Sequence, residues 1–157
     1  MKSILMSIRP NWCELIANGM KTIEVRKTKP KLEPPFKVYI YCTLPKEQGT
    51  SFLVGNKNPV SGNGKVIGEF VCENIEPFDV PYPAYQDRLD KRIIDSSCLT
   101  YFQLHRYAYH DKLYAWHISE LKIYDKPKEL SEFGRIKGNV FNPLSRPPQS
   151  WCYVEEI

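Results

Sequence analysis

Gly19-Met20-Lys21-Thr22-Ile23-Glu24-Val25-Arg26 is the stretch whose reading decides the fold of this chain. Ile23 and Val25 alternate with Glu24 and Arg26, the period of a strand with one buried face. Just upstream, Asn18-Gly19 is a left-handed stop for a helix, so the stretch predicts a helix end followed at once by a strand. Same-face neighbours on a strand lie roughly 6.5–7 Å apart. The Glu24 carboxylate is therefore expected beside the Arg26 guanidinium, with the Lys21 ammonium at the turn before them. Such a cluster suits a polar or anionic ligand better than a hydrophobic core.

Upstream of the motif, Ser3 to Arg9 alternates Ile4, Met6 and Ile8 with Leu5, Ser7 and Arg9, a first strand ended by Pro10. Arg9 shares a face with Ser7 and points toward the same cleft as the motif, or else is a surface arginine at a strand end. Asn11 and Glu14 resemble a capping box, and Trp12, Leu15 and Ile16 fall at helical spacing. Downstream, Lys29 to Pro35 is a proline- and lysine-rich loop, and Phe36 to Cys42 is a strand. Residues 45–63 read as an exposed polar loop. Lys65 to Cys72 is a strand in which Gly68 marks a bulge. Pro77 to Pro83 is a structured loop, and Leu99 to Tyr109 a helix begun by Ser97 or Thr100. Leu113 to Tyr124 is a long strand ended by Pro127, and Ser150 to Val154 is the last strand. If the first and last strands pair, Ser150 or Trp151 reaches the motif. About six strands and two short helices predict an α+β chain, a small and partly closed β-barrel with attached helices. With no repeat and no long linker, residues 1–157 read as one domain.

Composition narrows the function classes. The chain has 157 residues, 42% hydrophobic and 25% charged, which is ordinary for a globular protein able to fold without metal or disulfide. No segment approaches the roughly 20 apolar residues of a membrane span, and Arg9 interrupts the apolar N-terminus too early for a signal peptide, so a cytoplasmic chain is expected. Cys13, Cys42, Cys72, Cys98 and Cys152 form no Cys-x-x-Cys pair and read as small buried hydrophobes. His105, His110 and His117 show no paired ligand spacing, so neither metal nor cofactor is expected. The net charge is +4, unevenly placed: Met20 to Lys37 holds six basic and two acidic residues, Glu73 to Glu120 five basic and eight acidic. That asymmetry points to an anionic partner meeting one side of the molecule, or to a solvated lysine-rich loop.

Ser7-Ile8-Arg9-Pro10, the short helix, and Gly19-x-Lys21-x-x-Glu24-x-Arg26 together resemble the ASCH domain of the PUA-like superfamily. Tyr114-Ala-Trp-His-Ile118 leading to Ile123-Tyr-Asp-Lys-Pro127 is similar to its late strand. Arg146-Pro-Pro-Gln-Ser-Trp-Cys-Tyr-Val154 is similar to a tail of bacterial and prophage members. The likeness is specific over 3–27, fair over 113–154 and poor between about 45 and 100, a stretch that reads as a variable insertion. The resemblance implies a PUA-like barrel with a basic cleft beside the motif and binding of RNA or a nucleotide-like ligand. One branch hydrolyses N4-acetylcytidine with a Lys, a Thr three positions later and a more distant Glu. The Lys matches Lys21, but Glu24 stands at the Thr position and no Glu lies between Glu76 and Glu120.

For the motif, the resemblance and the residues give Arg26 as a bidentate partner for phosphate or carboxylate and Lys21 as a point charge. Glu24, flanked by two cations that favour its ionised form, reads as an acceptor for a base amino group or an orienter of Arg26. Arg9, Ser150 and Trp151 complete the expected binding set. The plainer reading of the motif is an ion-pair cluster on a strand. Trp12 and Trp116 read as core, Trp151 as core or stacking platform, and His117 as structural. Two alternatives stay open. One is a hydrolase of a modified nucleoside or of RNA with Lys21 as its catalytic residue, and the other a phage or mobile-element interaction module in which the motif is structural.

Overall fold

The computed structural model describes residues 2–45, 52–54 and 60–155. β1 (Lys2–Ile8) is buried along almost its whole length because it has partners on both edges. β3 (Phe36–Cys42) runs parallel to it on one side and β10 (Trp151–Glu155) antiparallel on the other. The return from β1 to a parallel β3 needs a crossover. It is supplied by α1 (Pro10–Ala17) and β2 (Ile23–Arg26).

Beyond β3 lie β6 (Lys65–Phe78), then β7 (Leu113–Lys128), with β2 at the edge. On the far side of β10 come β8 (Gly134–Lys137) and β9 (Val140–Pro143), which completes eight strands. A separate two-stranded sheet pairs β4 (Leu53–Val54) with β5 (Val60–Ser61). The architecture is α+β, with more strands than the six expected. The sheet is open, with β2 and β9 as its ends, so the expected barrel does not close through a backbone ladder.

Several boundaries depart from expectation. The helix starts at Pro10, whose ring fits the first helical position. Arg9 occupies the cap without a side-chain bond, so the Asn11–Glu14 capping box does not form. Pro127 does not end β7. Val66 pairs with Lys128 and Gly68 with Ile123, and the proline falls in that irregular span, where the ladder needs no N–H from it. Gly68 is the bulge, since a Cβ there would overlap the Lys122 carbonyl oxygen of β7. The stretch read as an exposed loop over 45–63 buries Phe52 and Val54 against the main core; its residues 46–51 and 55–59 lie outside the described ones.

α2 (Lys91–Ser97) was not expected. α3 (Tyr101–Ala108) starts at Thr100, which accepts the Gln103 N–H while the Gln103 side chain accepts the Thr100 N–H. Both helices pack over β2 and β7, where Ile23, Val25, Ile93, Leu104, Leu113 and Ala115 share a cluster. This explains the largest departure on β2. All four of its residues are buried, not one face, because the helices cover Ile23 and Val25 while Glu24 and Arg26 face inward on the other side.

Candidate functional site

The helix stop places the first charge. Asn18 caps α1, Gly19 turns with φ +83°, and the Lys21 N–H donates to the Leu15 carbonyl at 3.0 Å. The Lys21 side chain is thereby turned inward and is 2% exposed. Its Nζ donates to the Ser97 carbonyl at 2.5 Å, lies 3.6 Å from Glu24 Oε2, and sits 5.0 Å from the centre of the Trp12 ring. An ammonium over an indole face is favourable, more so where water is excluded.

Glu24 and Arg26 follow from the strand period. Glu24 Oε1 accepts from Arg26 Nε at 3.2 Å and is 3.1 Å from Nη2. Arg26 Nη2 also donates to the Ser7 carbonyl at 2.7 Å, and Nη1 to Ser150 Oγ at 3.2 Å and its carbonyl at 3.4 Å. The guanidinium thus joins the edge strand β2 to β1 and to the start of β10, where no backbone ladder does so. Glu24 Oε2 is buried and has no hydrogen-bond partner among the described residues. Buried polar atoms are nearly always bonded; this oxygen makes no hydrogen bond and faces the Lys21 ammonium at 3.6 Å as an ion pair.

These side chains line a cleft of about 570 Å³ with Arg9, Trp12 and Tyr107. Three cations, Arg9, Lys21 and Arg26, accompany a single carboxylate there, Glu24. Burial pushes the Tyr107 phenol upward, which keeps its O–H as a donor at the wall. Burial also pushes the Cys13 thiol well above 9.0, so this neighbour of the charged pair is an inert neutral thiol and not a nucleophile. Among the described residues no group of three or more His, Cys, Asp and Glu converges as a metal site would require.

The expected residues divide. Lys21, Glu24 and Arg26 come together as read, and exposed Arg9 lies on the rim. The first and last strands do pair, with Met6 opposite Trp151. Ser150 reaches the motif through Arg26 but does not line the cleft. Trp151 is turned away: its Nε1 donates to Thr28 Oγ1 at 3.0 Å and its ring centre is 5.8 Å from that of Trp116. Trp116 is fully buried, as read. The aromatic groups of the cleft are instead Tyr107 and Trp12, the latter half-buried beside the Pro10, Cys13 and Ile16 stripe that α1 buries. His117 Nε2 is 2.7 Å from Glu76 Oε1, outside the cleft. Sequence reading missed Leu99, Gln103 and Tyr107, which α3 brings over the site, and Thr43, Leu44 and Gln149 on the rim. The Thr100-to-Gln103 capping pair locates the start of α3, but no local signal says that the helix lies over β2.

No family model and no curated protein matches the sequence. Solved structures do. An ASCH protein from Zymomonas mobilis superposes with a TM-score of 0.67 at 23% identity, covering 98% of this chain and 88% of that one. The chain has the ASCH fold. A Tyr-to-Phe variant of the same Zymomonas mobilis ASCH protein gives a TM-score of 0.67 at 22% identity, over 99% of this chain and 92% of the other. At such identities the likeness is one of fold, and the chemistry of the ASCH cleft here rests on the side chains just described. No helix among the described residues is long and apolar enough to cross a membrane.

Proposed function

We propose that this chain is a cytoplasmic protein of PUA-like fold that binds RNA or a nucleotide in the basic cleft beside the Gly19–Arg26 motif. One observation carries the reading: a single carboxylate, Glu24, lines a cleft with three cations, and one of its oxygens makes no hydrogen bond within the described residues. A carboxylate held in place by Arg26 at the wall of a cleft is complementary to an exocyclic amino group of a base. Arg9 is exposed at the rim, where it supplies a cation for phosphate. Trp12 supplies an aromatic edge against which a base can pack.

The test is a thermal-shift and NMR titration with the four nucleoside monophosphates. Cytidine, adenosine and guanosine monophosphates should raise the melting temperature and move the Trp12 indole signal, and uridine monophosphate should do so least. Saturation at about 100 times the dissociation constant stabilises by about 2.7 kcal/mol, a shift of several degrees. Glu24→Gln, shown to be folded by circular dichroism, should remove the preference among bases. If no monophosphate and no short RNA gives a shift, the reading fails.

A second reading, hydrolysis of a modified nucleoside or of RNA, rests on Lys21 Nζ standing 3.6 Å from that same oxygen. It requires turnover of acetylated cytidine or short RNA, followed by mass spectrometry, that Lys21→Ala abolishes.

A further inference from the structure

Helix α3 carries a second recess that the cleft reading leaves unused. The helix buries Tyr101, Leu104 and Ala108, which leaves Phe102, Gln103, Arg106 and Tyr107 at i, i+1, i+4 and i+5 on another face. With Lys27 these side chains line a depression of about 430 Å³. Gln103 and Tyr107 line the main cleft as well, so the two recesses share a wall.

The chemistry of this recess is specific. Phe102 is 67% exposed, an aromatic face presented to water. Arg106 and Lys27 are exposed and, among the described residues, have no carboxylate partner. Lys27 Nζ lies 4.9 Å over the Tyr107 ring. An open aromatic ring flanked by unneutralised cations fits a stacked base with its phosphates. At the shared wall, Gln103 Oε1 already accepts the Thr100 N–H at 2.9 Å. What Gln103 offers a ligand is therefore its pair of amide N–H donors, suited to a ribose 2′-hydroxyl.

We infer that α3 holds a second nucleotide of a single-stranded RNA whose neighbouring base sits against Glu24. The inference rests on the proposed nucleotide binding in the cleft and makes the ligand a strand instead of a free nucleoside. Two adjoining recesses, each with aromatic and cationic walls, match consecutive units of such a strand.

The experiment is fluorescence anisotropy with a fluorescein-labelled RNA of about seven nucleotides, competed by each nucleoside monophosphate. The wild-type chain should bind the strand about tenfold or more tighter than any monophosphate, as one added stacking contact provides. The double variant Phe102→Ala/Arg106→Ala replaces two exposed side chains. It should lose about tenfold in strand affinity, keep monophosphate affinity within about twofold, and reduce the salt slope by about one. Strand affinity unchanged in the double variant, equal loss of both ligands, or a monophosphate that binds as tightly as the strand overturns the α3 subsite while leaving the cleft reading intact. A DNA strand of the same sequence that binds more tightly overturns the assignment to RNA. If the wild-type chain binds neither strand nor monophosphate, both readings fall together.

Discussion

Replacing Arg26 by alanine tests whether the charged cluster is what joins the edge of the sheet to its centre. The guanidinium reaches Glu24 on its own strand, the Ser7 carbonyl at 2.7 Å on β1, and Ser150 at 3.2 Å beside β10. Its side chain is 10% exposed and that of Glu24 is 8% exposed, so salt screens the pair weakly. Removing one partner of a buried pair costs about 3–5 kcal/mol, because the other charge is left stranded. Lys21 remains 3.6 Å from Glu24 and the vacated space opens to the cleft, so the lower end, about 3 kcal/mol, is expected. In a domain of this size each kcal/mol moves the melting temperature by about 2–4 °C, which gives a loss of about 6–12 °C. The companion variant Arg26→Met/Glu24→Leu removes both charges at similar volume but leaves the buried Lys21 ammonium without its carboxylate, so it should recover only part of that loss. Urea unfolding followed by circular dichroism, with Arg26→Met and Glu24→Leu as the single variants, then closes a double-mutant cycle, with an expected coupling of about 1–3 kcal/mol. An Arg26→Ala variant that melts within about 2 °C of wild type, or a cycle with no coupling, would show that the β7 ladder and the α2–α3 packing hold β2 unaided.

Two further outcomes follow from packing. Burial pushes the Cys72 thiol from 9.0 to about 11, and Cys13 and Cys152 are raised in the same direction. These thiols stay neutral in the fold at pH values where their unfolded counterparts ionise, so their contribution is complete below pH 9.0 and is lost as pH rises toward about 11. Urea midpoints should be level around neutrality and fall above about pH 9, and a midpoint that stays level to about pH 10.5 contradicts this. At the bulge, Gly68→Val would press a side chain into the Lys122 carbonyl. It should destabilise by about 1–3 kcal/mol, and a melting curve that superposes on wild type would remove the close approach as the reason for glycine.

Some local signals hold in the structure, while the Asn11–Glu14 capping pair and the Pro127 stop yield to their surroundings. The Phe36–Cys42 strand, the Asn18-Gly19 stop and the alternation on β2 each depend on a few adjacent residues, and each appears in the structure. The Thr100 cap was readable for the same reason. Trp12 packs against the core in part and also lines the cleft, and Trp151 takes the core side of its two readings, because the surroundings of both are set by distant chain. Which side of α1 is buried depends on β3, and the Trp151 indole is held by Thr28, more than a hundred residues away. The β8–β9 hairpin escaped notice because its strands are four residues each and mostly exposed, with little apolar alternation. The α3 wall was invisible for a tertiary reason, since its amphipathic pattern says that it packs but not against what.

A seam closed by side chains has a consequence for how such proteins are recognised. Arg26 bridges β2 to β1 and β10, while Lys21 ties the turn before β2 to the end of α2. A related chain with other side chains around the cleft would still need both to keep its edge strand in place. The Gly19–Arg26 pattern is thus a signature of architecture first, and finding it in another chain says little about whether that chain still binds anything. The side chains of Arg9 and Gln149 face the same cleft without a bond to the rest of the protein among the described residues. Neither side chain holds the sheet together, so their identity bears on the proposed ligand more directly than the motif does.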